Sequence, residues 1–358
     1  IKSNLGVAGG NAVNSITQTG INSRIFGAYA ATTGTGGTGT TPFGIDVVPA
    51  AACSAPPTAG TATSTLSTVC SAQATTLNLT GSSTGSGLSY QWESASAIGG
   101  PYTPIAATSS VYSQTVNPTA STYYRCQVTC SGSTVASTPV FVTVAPTFPG
   151  GTYTINSALP TGGSNFQTFN DAVSAISCGI SSPIVFNVDP ASGPYNEQIT
   201  LPSTIGATAL NTVTFNGNGR TLQFASTNSN ARHVIKLNGA DYITFNELNI
   251  NASGGTYGWG IHFTNGADYN TVNLCTITTS ITDATSGNFQ PVVMSNDVAS
   301  TTAAGNNGSN NTFQDNTLIG GYYAVTLCGF GPGTENTGNY FNNNVMRDFY
   351  SYGVYMTY

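Results

Sequence analysis

Hydrophobic and polar residues alternate in short runs through the second half of the chain. Residues 212–216 (Thr-Val-Thr-Phe-Asn) and 243–246 (Ile-Thr-Phe-Asn) are examples. Alternation with a period of two predicts short strands that bury one face. The runs are separated by corners rich in Asn and Gly, and no stretch between them has helical periodicity. The pattern therefore predicts a sheet-based fold.

One pentapeptide sets the scale of this pattern. Asn-Gly-Ala-Asp-Tyr at residues 238–242 returns at residues 265–269, which is 27 residues later. Self-similarity at such a spacing marks repeat architectures, in which each unit buries its apolar face by stacking on its neighbours. Short strands, tight corners and a repeat of this length together predict a parallel β-solenoid.

Aligning the copies predicts which residues stack in the interior. Two rows precede the corner: Ile235/Leu237, Ile261/Phe263, Val292/Met294, Val325/Leu327 and Val354/Met356. Two further rows follow it: Phe245, Val272, Phe313 and Phe341, then Ile250, Ile277, Leu318 and Met346. Asn316 and Asn344 share a register and are expected to form a buried amide ladder. The alignment continues to Tyr358, so we expect the chain to stop within a coil.

A helix is predicted just before the first coil. Ser164 and Gln167 fit a capping box, with Ser164 as the N-cap, and Gly179 supplies a stop. Apolar residues follow at helical spacing: Phe166, Phe169, Val173 and Ile176. The apolar face of this helix would cover the open end of the solenoid, since an uncovered end exposes strand edges and core.

Three regions are predicted in chain order. Residues 1–52 read as the closing strands of a preceding, incomplete β domain. Residues 53–146 contain short strands separated by turns, which favours an antiparallel β-sandwich. A Pro-rich joint then leads to residues 147–358, the capping helix and the parallel β-helix, truncated within a coil.

The second region resembles an immunoglobulin domain. Tyr124 stands two residues before Cys126, as in the tyrosine corner, and Trp92 is similar to the core tryptophan of strand C. On this resemblance Cys70 would pair with Cys126, and Cys53 with Cys130. Four cysteines allow three connectivities, and a zinc site is disfavoured because no CxxC pair is present. The remaining cysteines, Cys178, Cys275 and Cys328, are expected to be buried thiols.

Composition narrows the function classes. Only 6% of the 358 residues are charged, against about 25% in an average protein. The net charge is −6, and the seven cations are scattered, which argues against nucleic acid or anionic lipid as a partner. No apolar run approaches the ~20 residues of a membrane span. The clustered cysteines suit an oxidising, extracellular compartment.

Catalytic chemistry has one candidate place. Lys236, with Arg232 and His233 nearby, could supply the base of a polysaccharide lyase. Such a site also needs several carboxylates, and Glu247 alone supplies few. Paired acids of the glycosidase kind are missing from these strands. We therefore expect no catalytic residues and no enzyme activity.

Binding chemistry has several candidates. Asp241 and Asp268 would stack ~4.8 Å apart, and stacked carboxylates are suited to a calcium ladder. Asp also closes corners by bonding its own backbone. We favour the corner role and expect no cofactor. Trp259, Tyr323 and Tyr352 would form either a sugar-binding aromatic ladder or a core stack, and their parity with Ile261, Val325 and Val354 predicts the core.

Two corner insertions are the predicted partner-binding loops. One runs from Asn296 to Asn310 and the other from Gly329 to Asn339. Insertions stacked on one corner build a continuous lateral surface, which is where solenoids tend to recognise partners.

The succession of modules carries a wider resemblance. The run at residues 193–199 (Gly-Pro-Tyr-Asn-Glu-Gln-Ile) is similar to the opening coils of right-handed parallel β-helix proteins of the pectin-esterase-like kind. A Cys-rich immunoglobulin-like module, a Pro-rich joint, a capping helix and Asn/Gly-cornered coils resemble the giant repetitive surface proteins of Bacteroidetes. The resemblance implies export by type IX secretion and an extracellular, cell-surface location.

Two functions follow from the resemblance and from the residues. The first is a non-catalytic structural or adhesive segment of a large surface protein or extracellular filament. Its partners would be neighbouring domains of the same polypeptide, surface glycans or other surface proteins. The alternative is a carbohydrate-binding or polysaccharide-cleaving β-helix.

Overall fold

The computed structural model describes residues 51–105, 109–329 and 336–357. The predicted closing strands of residues 1–52 lie almost wholly outside the described residues. The chain divides into two compact units, Ile1–Ala145 and Pro146–Tyr358. This division falls next to the boundary expected at residue 146.

The described part of the first unit consists of two β-sheets around one apolar core. The strands are β1 (Thr61–Ser64), β2 (Thr68–Val69), β3 (Thr75–Thr80), β4 (Leu88–Ala95), β5 (Thr103–Pro104), β6 (Gln114–Val116), β7 (Thr122–Cys130), β8 (Ser133–Ala136) and β9 (Val140–Val144). The smaller sheet has the order β1-β3-β6. The larger has the order β2-β9-β7-β4-β5, with β8 paired to β7. Leu77 of the smaller sheet shares the core with Trp92 and Val128 of the larger.

The cysteines of this unit test the predicted pairing. Cys53 and Cys130 form a disulfide, as predicted. Cys126 is a buried free thiol, so the predicted Cys70–Cys126 bridge is wrong. Cys70 directly follows β2, which is separated from β7 by β9 in the same sheet. Two strand spacings, about 9.5 Å, exceed the Cα separation that a disulfide spans.

The other cysteines follow the prediction in part. Cys275 and Cys328 are buried free thiols, as expected. Cys178 is disulfide-bonded, so its prediction as a free thiol is wrong, and Cys70 is also disulfide-bonded. Cys178 lies half-buried just after the helix, away from the sealed interior that holds Cys275.

The second unit is a parallel β-solenoid whose coils contribute to three sheets. The first sheet contains β10 (Gly151–Ile155), β11 (Asn165–Phe166), β12 (Ile184–Val188), β15 (Val213–Asn216), β18 (Ile243–Asn246), β21 (Thr271–Asn273), β24 (Thr312–Gln314) and β27 (Tyr340–Asn342). The second contains β13 (Tyr195–Asn196), β16 (Thr221–Gln223), β19 (Asn249–Asn251), β22 (Thr276–Thr278), β25 (Thr317–Ile319) and β28 (Val345–Arg347). The third contains β14 (Ile199–Pro202), β17 (His233–Asn238), β20 (Gly258–Thr264), β23 (Phe289–Met294), β26 (Tyr323–Cys328) and β29 (Tyr352–Thr357).

The register confirms the predicted rows residue for residue, although Val354 and Met356 of the last coil are exposed. In the third sheet Ile235 pairs with Ile261, and the row continues through Val292, Val325 and Val354. In the first sheet the row runs Phe245, Val272, Phe313 and Phe341. In the second it runs Ile250, Ile277, Leu318 and Met346. Aromatic stacking adds to this core, with ring centroids of Phe215 and Phe245 5.3 Å apart.

Buried asparagines join successive coils at the corners. Asn316 accepts a hydrogen bond from the backbone N–H of Cys275 at 2.8 Å and donates to the carbonyl of Val272 at 2.9 Å. Its side chain also donates to Asn344 Oδ1 at 2.9 Å, so the predicted Asn316–Asn344 ladder is confirmed.

A second ladder at the preceding corner escaped the sequence analysis. It consists of Asn270, Asn311 and Asn339. Asn311 donates to the carbonyl of Ala267 at 3.0 Å and accepts from the N–H of Asn270 at 2.8 Å. Its side chain also donates to Asn339 Oδ1 at 3.1 Å.

The helix exists but begins later than predicted. Helix α1 spans Phe169–Ala175, and its N-cap is Thr168, whose hydroxyl accepts from the N–H of Asp171 at 3.0 Å. The predicted N-cap, Ser164, precedes β11, which pairs with β10 instead of entering the helix. Glu197 accepts from the N–H groups of Phe169 and Asn170, at 3.1 and 2.8 Å. In the described ranges this helix is the only one, and it is neither long nor apolar enough to cross a membrane.

The Cys53–Cys130 bond closes a loop with a sequence separation of 77 residues. Replacing both cysteines by serine should lower the free energy of unfolding of the first unit by about 2–4 kcal/mol, because the unfolded chain regains loop entropy. Urea denaturation followed by Trp92 fluorescence, in a Trp259→Phe background, measures the change. The control variant Cys126→Ala removes a free thiol and should cost only about 1 kcal/mol. An equal loss in both variants would contradict the assignment.

Candidate functional site

The outward face of the third sheet holds the candidate catalytic residues. Lys236 lies there, in one row with His262, Val293, Thr326 and Tyr355. These residues alternate with the interior rows, so their side chains leave the sheet on the opposite side from Ile235 and Leu237. His262, Val293 and Thr326 are nevertheless fully buried. The outward face is therefore covered at β20, β23 and β26, whereas Lys236 and Tyr355 are half-buried.

An interruption of the inward–outward alternation changes which residues belong to this face. Val234 and Ile235 are consecutive in sequence, yet both lie in the interior core. At the next coil, a Cβ on Gly260 would lie 2.2 Å from Ile277 Cγ2, so position 260 also faces the interior. Two consecutive inward positions reverse the alternation for every residue before them. Trp259 consequently lies on the outward face.

The prediction that Trp259 and Tyr323 form an interior stack is therefore wrong. Both are buried, but neither belongs to the interior core. The Trp259 ring lies edge-on to His262, with centroids 5.0 Å apart. Tyr323 stacks on Tyr352 and Tyr355, at 5.9 and 4.6 Å, and Tyr352 is 58% exposed. The three predicted aromatic residues thus line the outside of the third sheet.

Arg232 is held in place under the segment before β23. Its guanidinium donates to the carbonyl oxygens of Gly287 and Ser229, at 2.6 and 2.8 Å. The Trp259 indole N–H donates to the same Gly287 carbonyl at 2.8 Å. The guanidinium also lies over the Tyr257 ring, 4.3 Å from its centroid. Burial lowers the pKa of Arg232, and its charge is committed to structural contacts.

The two histidines are neutral and buried. Burial, together with the positive charge of Lys236, lowers the pKa of His262 to about 4. Burial likewise lowers the pKa of His233 to about 3, with contributions from His262 and Lys236. His262 Nε2 donates to the Ser295 carbonyl at 2.8 Å, while its Nδ1 has no partner among the described residues. Both imidazoles therefore act as uncharged groups near neutral pH.

The predicted partner-binding loop from Asn296 to Asn310 packs over this face. Thr301, Asn307 and Cys328 are buried. The Asn307 side chain donates to the Cys328 carbonyl, and the Cys328 thiol donates to the Thr301 carbonyl at 3.5 Å. The inner side of the insertion is therefore structural.

The outer side of that insertion is exposed to solvent. Asn296 and Asn310 are both exposed, which leaves a surface on which partner binding stays a prediction. In the second predicted loop, Gly329 is buried, and Asn339 belongs to the amide ladder with Asn311. Residues 330–335 of this loop lie outside the described residues.

Among the described residues, the arrangement around Lys236 lacks the several carboxylates that a lyase uses. Burial lowers the pKa of Lys236, as a catalytic base would require. Asp297 is the acid whose charge reaches His262 and Arg232, and its pKa is lowered by N–H groups of Ala299 and Ser300. Glu247 lies at the corner after β18, between the first and second sheets, and so is not brought to the third sheet. Among the described residues no group of three or more His, Cys, Asp or Glu is placed to hold a metal.

The repeated aspartates join coils through the backbone. Asp241 Oδ1 accepts from the N–H of Asp268 at 2.7 Å, and Asp268 Oδ1 accepts from the N–H of Ser309 at 2.6 Å. Burial raises the pKa of Asp241. Both aspartates therefore have a structural role at the corners, but each carboxylate bonds to the next coil and not to its own backbone as predicted. Calcium binding stays a prediction.

Comparisons with known proteins cover a minor part of the chain. A domain of unknown function (DUF8696) matches residues 58–146, which is the two-sheet unit. No curated protein and no solved structure matches the chain. The solenoid and its outward face must therefore be interpreted from their own chemistry.

The neutral histidines predict a loss of stability in mild acid. The pKa of His262 is about 4 in the folded protein and about 6.5 in the unfolded chain. The unfolded chain therefore binds the proton first as the pH falls. Stability should be constant above pH ~6.5 and decline by roughly 3 kcal/mol towards pH ~4, with His233 adding to the decline.

Urea denaturation of the wild type and of His262→Gln at pH 7.5 and pH 5 measures this effect. Glutamine keeps a side-chain N–H for the Ser295 carbonyl but does not titrate. The variant should lose much of the pH dependence. An unchanged difference between the two pH values would show that His262 titrates as an exposed residue does.

Proposed function

We propose that the chain is a non-catalytic structural or adhesive segment of a large secreted cell-surface protein or extracellular filament. The observation that carries the proposal is the use of polar repeats between coils. Asn270, Asn311 and Asn316 bond to backbone groups of neighbouring coils, and Asp241 and Asp268 do the same. These repeats hold a stack of coils together and leave few of their polar groups for a reacting substrate.

Modular organisation supports the same proposal. The two-sheet unit carries the Cys53–Cys130 disulfide and the residues that resemble an immunoglobulin domain, Trp92 and Tyr124. Helix α1 packs Phe169 against Tyr195 and Phe215 of the first coils, at 5.1 and 6.1 Å. We infer that this helix, with β10 and β11, caps the interior of a right-handed coil stack. The resemblance to Bacteroidetes type IX adhesins provides the biological setting.

An extracellular location fits the chemistry of the chain. Disulfides persist in oxidising compartments, and only 6% of the residues are charged. Partners would then be neighbouring domains of the same polypeptide, surface glycans or other surface proteins. Calcium binding at the aspartate corners stays a prediction, which rests on the preference of calcium for carboxylate oxygens.

The alternative is a carbohydrate-binding or polysaccharide-cleaving β-helix. The observation that favours it is the lowered pKa of Lys236, on the outward face of the third sheet. Weighing against it, the neighbouring Arg232, His233 and His262 are buried, and Arg232 and His262 have structural partners.

Surface labelling tests the leading proposal. Antibodies raised against the purified chain should label intact cells of the organism that makes it, because the proposal places the segment outside the membrane. Labelling that appears only after permeabilisation would contradict it.

A companion assay tests the alternative. The purified chain should release no product from polyuronates or neutral glycans. Product release that is lost in Lys236→Ala would replace the structural proposal with the enzymatic one.

A further inference from the structure

A polar depression lies beside the second sheet, away from the covered face. It is open to solvent, has a volume of about 450 Å³ and is lined by residues of three successive coils, among them Pro194, Gly219, Arg220, Thr221, Gln223 and Asn251. The volume falls within the range of about 300–1,000 Å³ that is usual for small-molecule sites. Gly219 leaves open space above the backbone, since a Cβ there would meet nothing within 4 Å.

Arg220 is the unusual member of this lining. Its side chain makes no hydrogen bond or ion pair with any described residue, and its buried Nε has no partner. The other described arginines are engaged: Arg125 with Glu93 at 2.8 Å, Arg347 with Asp348 at 2.5 Å, and Arg232 with the Gly287 carbonyl. A half-buried guanidinium without a partner has lost hydration that nothing in the protein replaces.

The groups around Arg220 are uncharged and only partly used. The Thr221 hydroxyl makes no hydrogen bond to a described residue. Asn251 accepts from the N–H and hydroxyl of Ser253, at 3.0 and 2.8 Å, which leaves its amide nitrogen as a donor. Gln223 donates to Asn196 Oδ1 at 2.7 Å, which leaves its carbonyl oxygen as an acceptor. Hydroxyl and amide groups of this kind suit the hydroxyls of a sugar.

We propose that this depression binds a carboxylate-bearing sugar, such as a uronate residue of an acidic glycan. The planar guanidinium of Arg220 pairs with the sugar carboxylate through two parallel hydrogen bonds. Thr221, Gln223 and Asn251 bond to the ring hydroxyls.

A single cation among neutral groups matches one carboxylate better than a polyphosphate. Nucleic acid would need a basic footprint that neutralises many phosphates, whereas the chain has a net charge of −6. The depression is also on a different sheet from Lys236, so it does not depend on the chemistry of the covered face.

This inference rests on the proposed adhesive role for its biological meaning and names the chemical class of the glycan. Its test is independent of surface labelling. If antibodies label the chain at the cell surface but the chain binds no acidic sugar, the structural role stands and this binding site is refuted.

Isothermal titration of the full chain with a galacturonate oligomer tests the site, with the matching neutral galactose oligomer as the first control. The wild type should bind the acidic oligomer. Arg220→Gln should weaken binding about tenfold or more, because a charge-assisted pair is lost. The matched control Arg347→Gln removes an exposed arginine from the same sheet and should bind as the wild type does.

Four results would overturn the proposal. These are an absence of binding to the acidic oligomer, equal binding of the neutral oligomer, equal affinity of Arg220→Gln and the wild type, and equal binding of a sulfated galactose oligomer. A circular dichroism spectrum of Arg220→Gln that matches the wild type confirms that any loss of affinity is local. Thr221→Ala, which leaves the charge in place, should weaken binding several-fold and provides a second route to the same site if Arg220→Gln fails to fold.

Discussion

The need to satisfy buried backbone groups at the corners shapes this solenoid. Parallel strands pair with the coils above and below, but the chain must turn between sheets, where the regular pairing is interrupted. An unpaired buried N–H or carbonyl costs about 1–3 kcal/mol. Asn270, Asn311 and Asn339 at one corner, and Asn316 and Asn344 at another, bond to these groups and to the next asparagine. The amide ladders therefore fix the register that the apolar rows then fill.

This constraint also determines which polar side chains remain available to bind a ligand or a partner. Interior rows and corner ladders are committed to joining coils, and the insertion from Asn296 to Asn310 buries the outward face of the third sheet with its inner side. Arg232, which is held by the segment before β23, and the two histidines form a second, mixed cluster on this face. Unengaged polar groups remain mainly on the outer surface, and Arg220 is the clearest example. Binding by an exposed face of a rigid scaffold is consistent with a structural or adhesive segment.

The sequence was sufficient for features that depend on local alternation and repeat spacing. The interior rows from Ile235 to Val354 could be predicted because each residue recurs at a fixed offset from its corner. The second amide ladder could have been predicted in the same way. Its members, Asn270, Asn311 and Asn339, each stand two residues before a residue of the row Val272, Phe313 and Phe341. Trp259 could not be placed by simple alternation, because two consecutive residues of its strand, Gly260 and Ile261, both face the interior. The predicted Cys70–Cys126 bridge was wrong for a similar reason, since the sheet order β2-β9-β7 is set by long-range pairing.

The most direct measurement of the central claim is the stability of Asn311→Ala against that of Asn342→Ala. Asn311 is fully buried in the amide ladder, whereas Asn342 is exposed on the outward side of β27. Chemical denaturation followed by Trp259 fluorescence should show a loss of about 2–4 kcal/mol for Asn311→Ala, because the Asn270 N–H and the Ala267 carbonyl lose their partner. Asn342→Ala should change stability by less than about 0.5 kcal/mol. Similar, small changes in both variants would contradict the view that buried amide ladders hold the coils together.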